Sequence, residues 1–118
     1  MEFKNKQAIY LQIADFVCEH ILSGKWTADE KIISIRDLAI QLEVNLNTVS
    51  RAYEHLQQQG VIFTRRGIGY FVSETAPDAI RDIRRQRFFK QELPEFIKTL
   101  RMLGIGFEEI KESLKNEN

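Results

Sequence analysis

The 118-residue sequence carries one cysteine, two prolines, one tryptophan, and no excess charge of either sign, Lys+Arg and Asp+Glu both being 17. The single Cys18 cannot form an internal disulfide, so any fold has to be held by its core, as expected in a reducing cytoplasm. No apolar run approaches the roughly 18 residues of a membrane span. The opening stretch MEFKNKQ also lacks the apolar core of a signal peptide. The expected location is therefore cytoplasmic, with no membrane partner. A net charge of zero removes any overall pull towards a polyanion, so such binding has to come from local placement. Neither half supplies a basic tail: residues 1–75 hold 8 Lys/Arg against 9 Asp/Glu, and residues 76–118 hold 9 against 8. Paired carboxylates, a glycine-rich phosphate loop and metal-ligand spacing are also missing. Cys18 and His20 lie two apart and do not share a helix face, and His55 reads as a lone surface residue. The expectation is a protein that is not an enzyme and has neither metal nor cofactor.

What is present is one small domain and an appendage. In QAIYLQIADFVCEHILS, the three- and four-residue spacing of Ile9, Ile13, Phe16, Val17, His20 and Ile21 predicts an amphipathic helix closed near Gly24. After the polar link GKWTADEK, the run KIIS predicts one brief strand. Ser34 offers a cap hydroxyl and Asp37 a first-turn carboxylate, so SIRDLAIQL predicts a second helix beginning at Ile35, with Leu38, Ala39 and Leu42 inward. A break of about three residues follows, and Asn45 can cap a third helix whose inward positions are Val49, Ala52, Tyr53 and Leu56, ending at Gly60. Two short helices joined so tightly are a helix-turn-helix.

VIFTRRGIGYFVS then reads as strand 61–64, a glycine-bearing tip 65–69, and strand 70–73. The predicted fold is mostly α with a small β-hairpin wing: a winged helix-turn-helix over residues 1–75, then a short helical dimerisation region over 76–118. ETAPDA, with Pro77, marks the boundary. Beyond it, Ile80, Ile83 and Phe88 suggest an arginine-rich helix over 81–87, and Pro94 suits the first position of another. Phe96, Ile97, Leu100 and Leu103 form its apolar stripe, and Phe107, Ile110 and Leu114 form a third. About 40 residues cannot enclose that much apolar surface, so a second copy is expected to cover it. Ile80, Ile83, Phe88, Phe96, Ile97, Leu100, Leu103, Phe107 and Ile110 are the expected dimer interface.

VNLNTVSRAYEHLQQQG, residues 44–60, carries Asn45, Asn47, Thr48, Ser50 and Arg51 at its start. Polar residues at the amino end of an exposed helix suit entry into the DNA major groove. Asparagine can pair with adenine through two bonds and arginine with guanine, each pair discriminating by about 1–3 kcal/mol. Asn45 reads equally well as a helix cap, and the two roles can coexist. Thr48 and Ser50 suit phosphate oxygens, since one hydroxyl carries little sequence information. Ser34 and Arg36 open the preceding helix, where amides and a guanidinium can meet a phosphate or the guanidinium can reach a base. Spacing alone leans towards Arg36 being paired with Asp37 or Glu43. Arg65 and Arg66 flank the wing turn, where Gly67 and Gly69 would let the backbone approach a minor groove, or they are an ordinary charged hairpin tip.

GKW, SIRDLA, VNLNTVSRAYEHLQQQG and RRGIGYFV together resemble the GntR family of bacterial transcriptional regulators, and within it the short YtrA-like branch. The resemblance covers roughly residues 7–73. It implies that Arg36 contacts operator DNA, that residues from Asn45 to Arg51 enter the major groove, and that the wing around Gly69 reaches the minor groove. Ile32-Ile33-Ser34 lacks the family's proline, and Tyr70 stands where the wing motif has threonine. Leu46 and Ser50 stand where broad-family members carry arginine, so no base preference is carried over. The expected function is sequence-specific regulation, as a repressor, by a homodimer on a palindromic double-stranded DNA operator. A small-molecule effector between subunits stays open. The alternative is a winged-helix protein-protein interaction module without DNA readout, which requires an apolar exposed face on the third helix.

Overall fold

The computed structural model describes residues 7–116, so most of the stretch MEFKNKQ lies outside the described residues. Contact within the chain separates two compact units, divided between Arg81 and Asp82.

The first unit holds α1 (Ile9–Leu22), α2 (Ile35–Leu42), α3 (Leu46–Gln58) and the antiparallel hairpin β1 (Ile62–Arg65) and β2 (Gly69–Val72). α1 and α2 both pack on α3, and β1 follows α3 directly. The core is Ile13, Val17, Leu38, Val49, Tyr53, Leu56, Ile62 and Val72, all at or near zero exposure. The α1 stripe is rotated from the expected face: Ala14 and Cys18 are buried, while Ile9 is exposed. Phe16 and His20 sit on the shoulder, where His20 lies 4.3 Å from the Phe16 ring and 4.7 Å from Trp26. Tilting the buried arc this way lets small Ala14 and Cys18 face inward and leaves the rings to cover the edge.

Ser34 and Asn45 cap α2 and α3. Ser34 Oγ accepts from the Asp37 N–H at 3.1 Å, and Asn45 Oδ1 accepts from the Asn47 N–H at 2.8 Å. Each satisfies one of the orphan amides that open a helix. Between the helices Glu43 takes the left-handed conformation, φ 55°, and its N–H returns to the end of α2. The brief strand expected at KIIS is reduced to a single bridge between Lys31 and Phe71. Asp29, Glu30 and Ile32 bond to Val72 and Tyr70 along β2, but Asp29 is left-handed at φ 63° and the Ser34 cap follows at once, leaving no room for a ladder.

α4 (Ala76–Arg87) begins five residues before the arginine-rich helix expected at 81–87. Pro77 sits in its first turn, where a missing N–H removes no helical bond. Ala76 and Ile80 are buried in the first unit. Ile80 was expected on the dimer interface; at 1% exposure it is already covered by its own chain.

The second unit contains the end of α4, a π-helical turn Phe88–Glu92, α5 (Leu93–Leu103) and α6 (Phe107–Asn116). Pro94 stands in the opening positions of α5, as expected, and α5 follows the π-helical turn directly. The Leu93 N–H bonds five residues back to Phe88, and the widened turn makes room for the proline ring just beyond it. Gly104, φ 69°, closes α5, and Glu109 Oε2 accepts from the Gly106 N–H at 3.1 Å to open α6. Neither α5 nor α6 buries a residue, and Phe96, Leu103 and Phe107 are 48%, 67% and 75% exposed. Among the described residues no helix is long and apolar enough to cross a membrane.

Candidate nucleic-acid interface

The surface of α3 follows from its buried stripe. Val49, Ala52, Tyr53 and Leu56 lie inward, which at 3.6 residues per turn puts Asn47, Arg51, Glu54 and Gln58 on the opposite face. All four are exposed, while Thr48 and Ser50 are half-buried on the flanks. Capping uses one lone pair of the Asn45 side-chain oxygen for the Asn47 amide and leaves that oxygen a second lone pair besides the NH₂ donors. Asn47, exposed two residues further on, offers the same two-bond geometry.

Arg51 does not simply extend into solvent. Its guanidinium carbon lies 3.9 Å from the centre of the Tyr10 ring on α1. His55, expected as a lone surface residue, is half-buried and meets the same ring edge-on at 5.8 Å and 84°. Below this face, the buried Tyr53 hydroxyl donates to the Ile33 carbonyl at 2.7 Å. That bond fixes α3 to the segment leading into the Ser34 cap, and Tyr70 of the wing packs edge-on against the Tyr53 ring at 5.0 Å. Burial, with the Tyr70 phenol as a lesser cause, pushes the Tyr53 hydroxyl far above its ordinary pKa. Tyr53 therefore ties helix, cap and wing together as a neutral group.

Arg36 is exposed in the first turn of α2, and the expected pair with Asp37 or Glu43 is not formed. Among the described residues no carboxylate forms an ion pair with it. In the wing, the Arg65 carbonyl accepts from the Ile68 N–H at 2.9 Å across a turn in which Gly67 takes φ 79°. Arg65 folds back over the wing's aromatic pair, 4.5 Å from Phe71 and 5.5 Å from Phe63. Arg66 is exposed at the tip beside Ile68. Gly69 has φ 147°, and a Cβ there would stand 2.9 Å from Lys31 Cε, so the lysine stem lies along the wing backbone.

The structure thus unites Asn47 and Arg51 on one α3 face, places Thr48 and Ser50 beside them, and has Asn45 cap the helix. It adds Tyr10, Lys31, Glu54 and His55, which periodicity alone did not single out. Glu54 was findable, standing three residues after Arg51 and so on its face. Tyr10 and Lys31 come from distant stretches of chain and are brought in only by packing.

The family model for "Bacterial regulatory proteins, gntR family" matches residues 9–72. The chain is 32% identical over 112 residues to the HTH-type transcriptional repressor YtrA of Bacillus subtilis, covering 95% of this chain and 85% of that protein. It is similar to a solved putative transcriptional regulator of the GntR family from Bacteroides thetaiotaomicron, with 43% identity, a TM-score of 0.79, and coverage of 94% of this chain and 100% of that one. It is also similar to the DNA-binding domain of AraR, solved in complex with operator ORR3, with 27% identity, a TM-score of 0.57, and coverage of 62% of this chain and 88% of that domain.

Proposed function

The chain belongs to the gntR family of bacterial regulatory proteins, HTH-type transcriptional regulators with a DNA-binding domain, and from that premise we propose a homodimeric repressor that occupies a palindromic operator. The observation that carries this reading is the exposed α3 face, on which Asn47 and Arg51 are open to solvent while Val49, Ala52, Tyr53 and Leu56 are buried. Asn47 reads adenine and Arg51 reads guanine in the major groove. Thr48, Ser50, the spare Asn45 donors and Ser34 with Arg36 contact phosphates on either side. Arg65, Arg66, Gly67 and Gly69 bring the wing to the minor groove. The likeness to the AraR domain bound to its operator supports DNA as the ligand, and the likeness to the YtrA repressor supports the sign of regulation.

Residues 1–75 carry DNA binding, and 76–118 carry dimerisation, less the first turn of α4 with Ala76 and Ile80. Ile83, Phe88, Phe96, Ile97 and Leu100, with Leu103, Phe107 and Ile110, supply the interface. Its supporting feature is the open apolar hollow of α5 and α6, about 480 Å³, which their own unit leaves uncovered. A two-fold pair places two recognition helices about 34–36 Å apart on one face of the duplex. A protein-interaction role without DNA readout would need an apolar exposed face on α3, and Asn47, Arg51, Glu54 and Gln58 are all polar.

The test is selection of bound fragments from random DNA, with retention measured against salt. Enrichment of an inverted repeat with half-site centres about 10 base pairs apart is expected. Retention that ignores salt and survives Arg51→Ala, with no sequence enriched, would overturn the DNA reading and favour the protein-partner one.

A further inference from the structure

We propose that Tyr10 is a positioning residue for sequence readout: its ring holds the Arg51 guanidinium flat, so that the fork is presented to a guanine edge before DNA arrives. The inference rests on the proposed DNA reading and deepens it. Arg51 lies over the ring at 3.9 Å, close enough for a cation–π stack. Stacking uses the face of the guanidinium and leaves its five N–H donors, which lie in the plane, free to point outward. An ion pair would consume those donors, and among the described residues Arg51 forms none.

The platform is itself anchored. Arg51 and His55 are one turn apart on α3, so both project towards the same side, and His55 meets the Tyr10 ring edge-on at 5.8 Å and 84°. Tyr10 thus stands against two α3 side chains rather than one. It belongs to the first turn of α1, a helix that packs along α3, so the platform moves with the helix whose side chain it orients. An arginine held in one plane loses less rotamer freedom when it meets a base, and its fork geometry discriminates only in that plane. The consequence is that Tyr10 governs discrimination between bases more than overall attraction to DNA.

The experiment uses the full chain and its selected half-site, with the G·C pair read by Arg51 replaced by A·T in a second duplex. Wild type, Tyr10→Phe, Tyr10→Leu, Arg51→Ala and the Tyr10→Leu/Arg51→Ala double variant are titrated against both duplexes. Tyr10→Leu is expected to lower discrimination between the duplexes about fivefold, the scale of a cation–π contact, while binding to the A·T duplex is unchanged. Tyr10→Phe keeps the ring and is expected to keep discrimination. The double variant is expected to discriminate no worse than Arg51→Ala alone.

In the free protein, the Arg51 δ-protons are expected upfield from the ring current in wild type and Tyr10→Phe; this measurement stands even where Tyr10→Leu fails to fold. Full discrimination by folded Tyr10→Leu, or Arg51 δ-protons without an upfield shift, overturns the proposal. So does equal loss on both duplexes in Tyr10→Phe, which would make the hydroxyl a direct DNA contact. Failure of the wild-type chain to prefer any duplex overturns the operator reading first and is distinguishable from all three.

Discussion

Replacing Tyr53 with phenylalanine removes a single oxygen from the centre of the first unit and leaves the Ile33 carbonyl without its 2.7 Å partner. The ring, its burial and its edge-on contact with Tyr70 are kept, so the cost reports one hydrogen bond. A net bond of this kind contributes about 1 kcal/mol, and Ile33 is only half-buried, which holds the penalty near that figure. For a unit of this size 1 kcal/mol corresponds to a fall in Tm of about 6 °C. The pH dependence gives a sharper check. Burial raises the folded pKa of Tyr53, so its contribution is complete below the unfolded value of about 10 and is lost as pH rises above it, because the unfolded chain then ionises while the folded one does not. Tyr53→Phe has no such group. Urea unfolding at pH 7 should therefore show the variant about 1 kcal/mol less stable, and the gap should close near pH 10.5–11. A gap that is absent at pH 7, or constant up to pH 11, would refute the role given to this hydroxyl.

Ser34→Ala deletes the cap on the Asp37 amide and should cost about 1 kcal/mol of stability by thermal melting. It should also weaken DNA binding, because the first turn of α2 carries Arg36. Arg66→Ala, at the exposed wing tip, should weaken binding to all sequences alike and reduce the slope of log affinity against log salt by about 0.9, measured by fluorescence anisotropy over a salt series. A change confined to one base pair would instead make Arg66 a reader. Light scattering should find a dimer at micromolar concentration, and Phe107→Glu, which places a charge on a residue that is 75% exposed, should give a folded monomer with far weaker operator binding. A wild-type monomer would contradict the interface assigned to α5 and α6.

The sequence by itself determined the helix caps, the inward face of α3 and the wing turn. Ser34 and Asn45 are cap residues whose short polar side chains reach back to an orphan amide whatever the surroundings, and both cap the helices expected of them. The inward set Val49, Ala52, Tyr53 and Leu56 follows from period alone and is buried as read. Gly67 marks the wing turn because a left-handed position is needed there, at φ 79°. These are local facts, decided within a few residues of chain, and periodicity reports them.

Only the tertiary structure decided how distant stretches meet. The KIIS strand dwindled to one bridge because β2 and the Ser34 cap leave it no length. Ile80 turned from the interface into the core because α4 starts at Ala76 and feeds its first turn inward. Tyr10 reached Arg51, and Lys31 reached Gly69, from positions 41 and 38 residues away in the chain. Helical spacing fixes which face a side chain occupies, but what that face meets depends on how helices pack, and packing is settled by the sum of many weak contacts along the whole chain. The polar face of α3 was therefore legible in its residues, and its support was not.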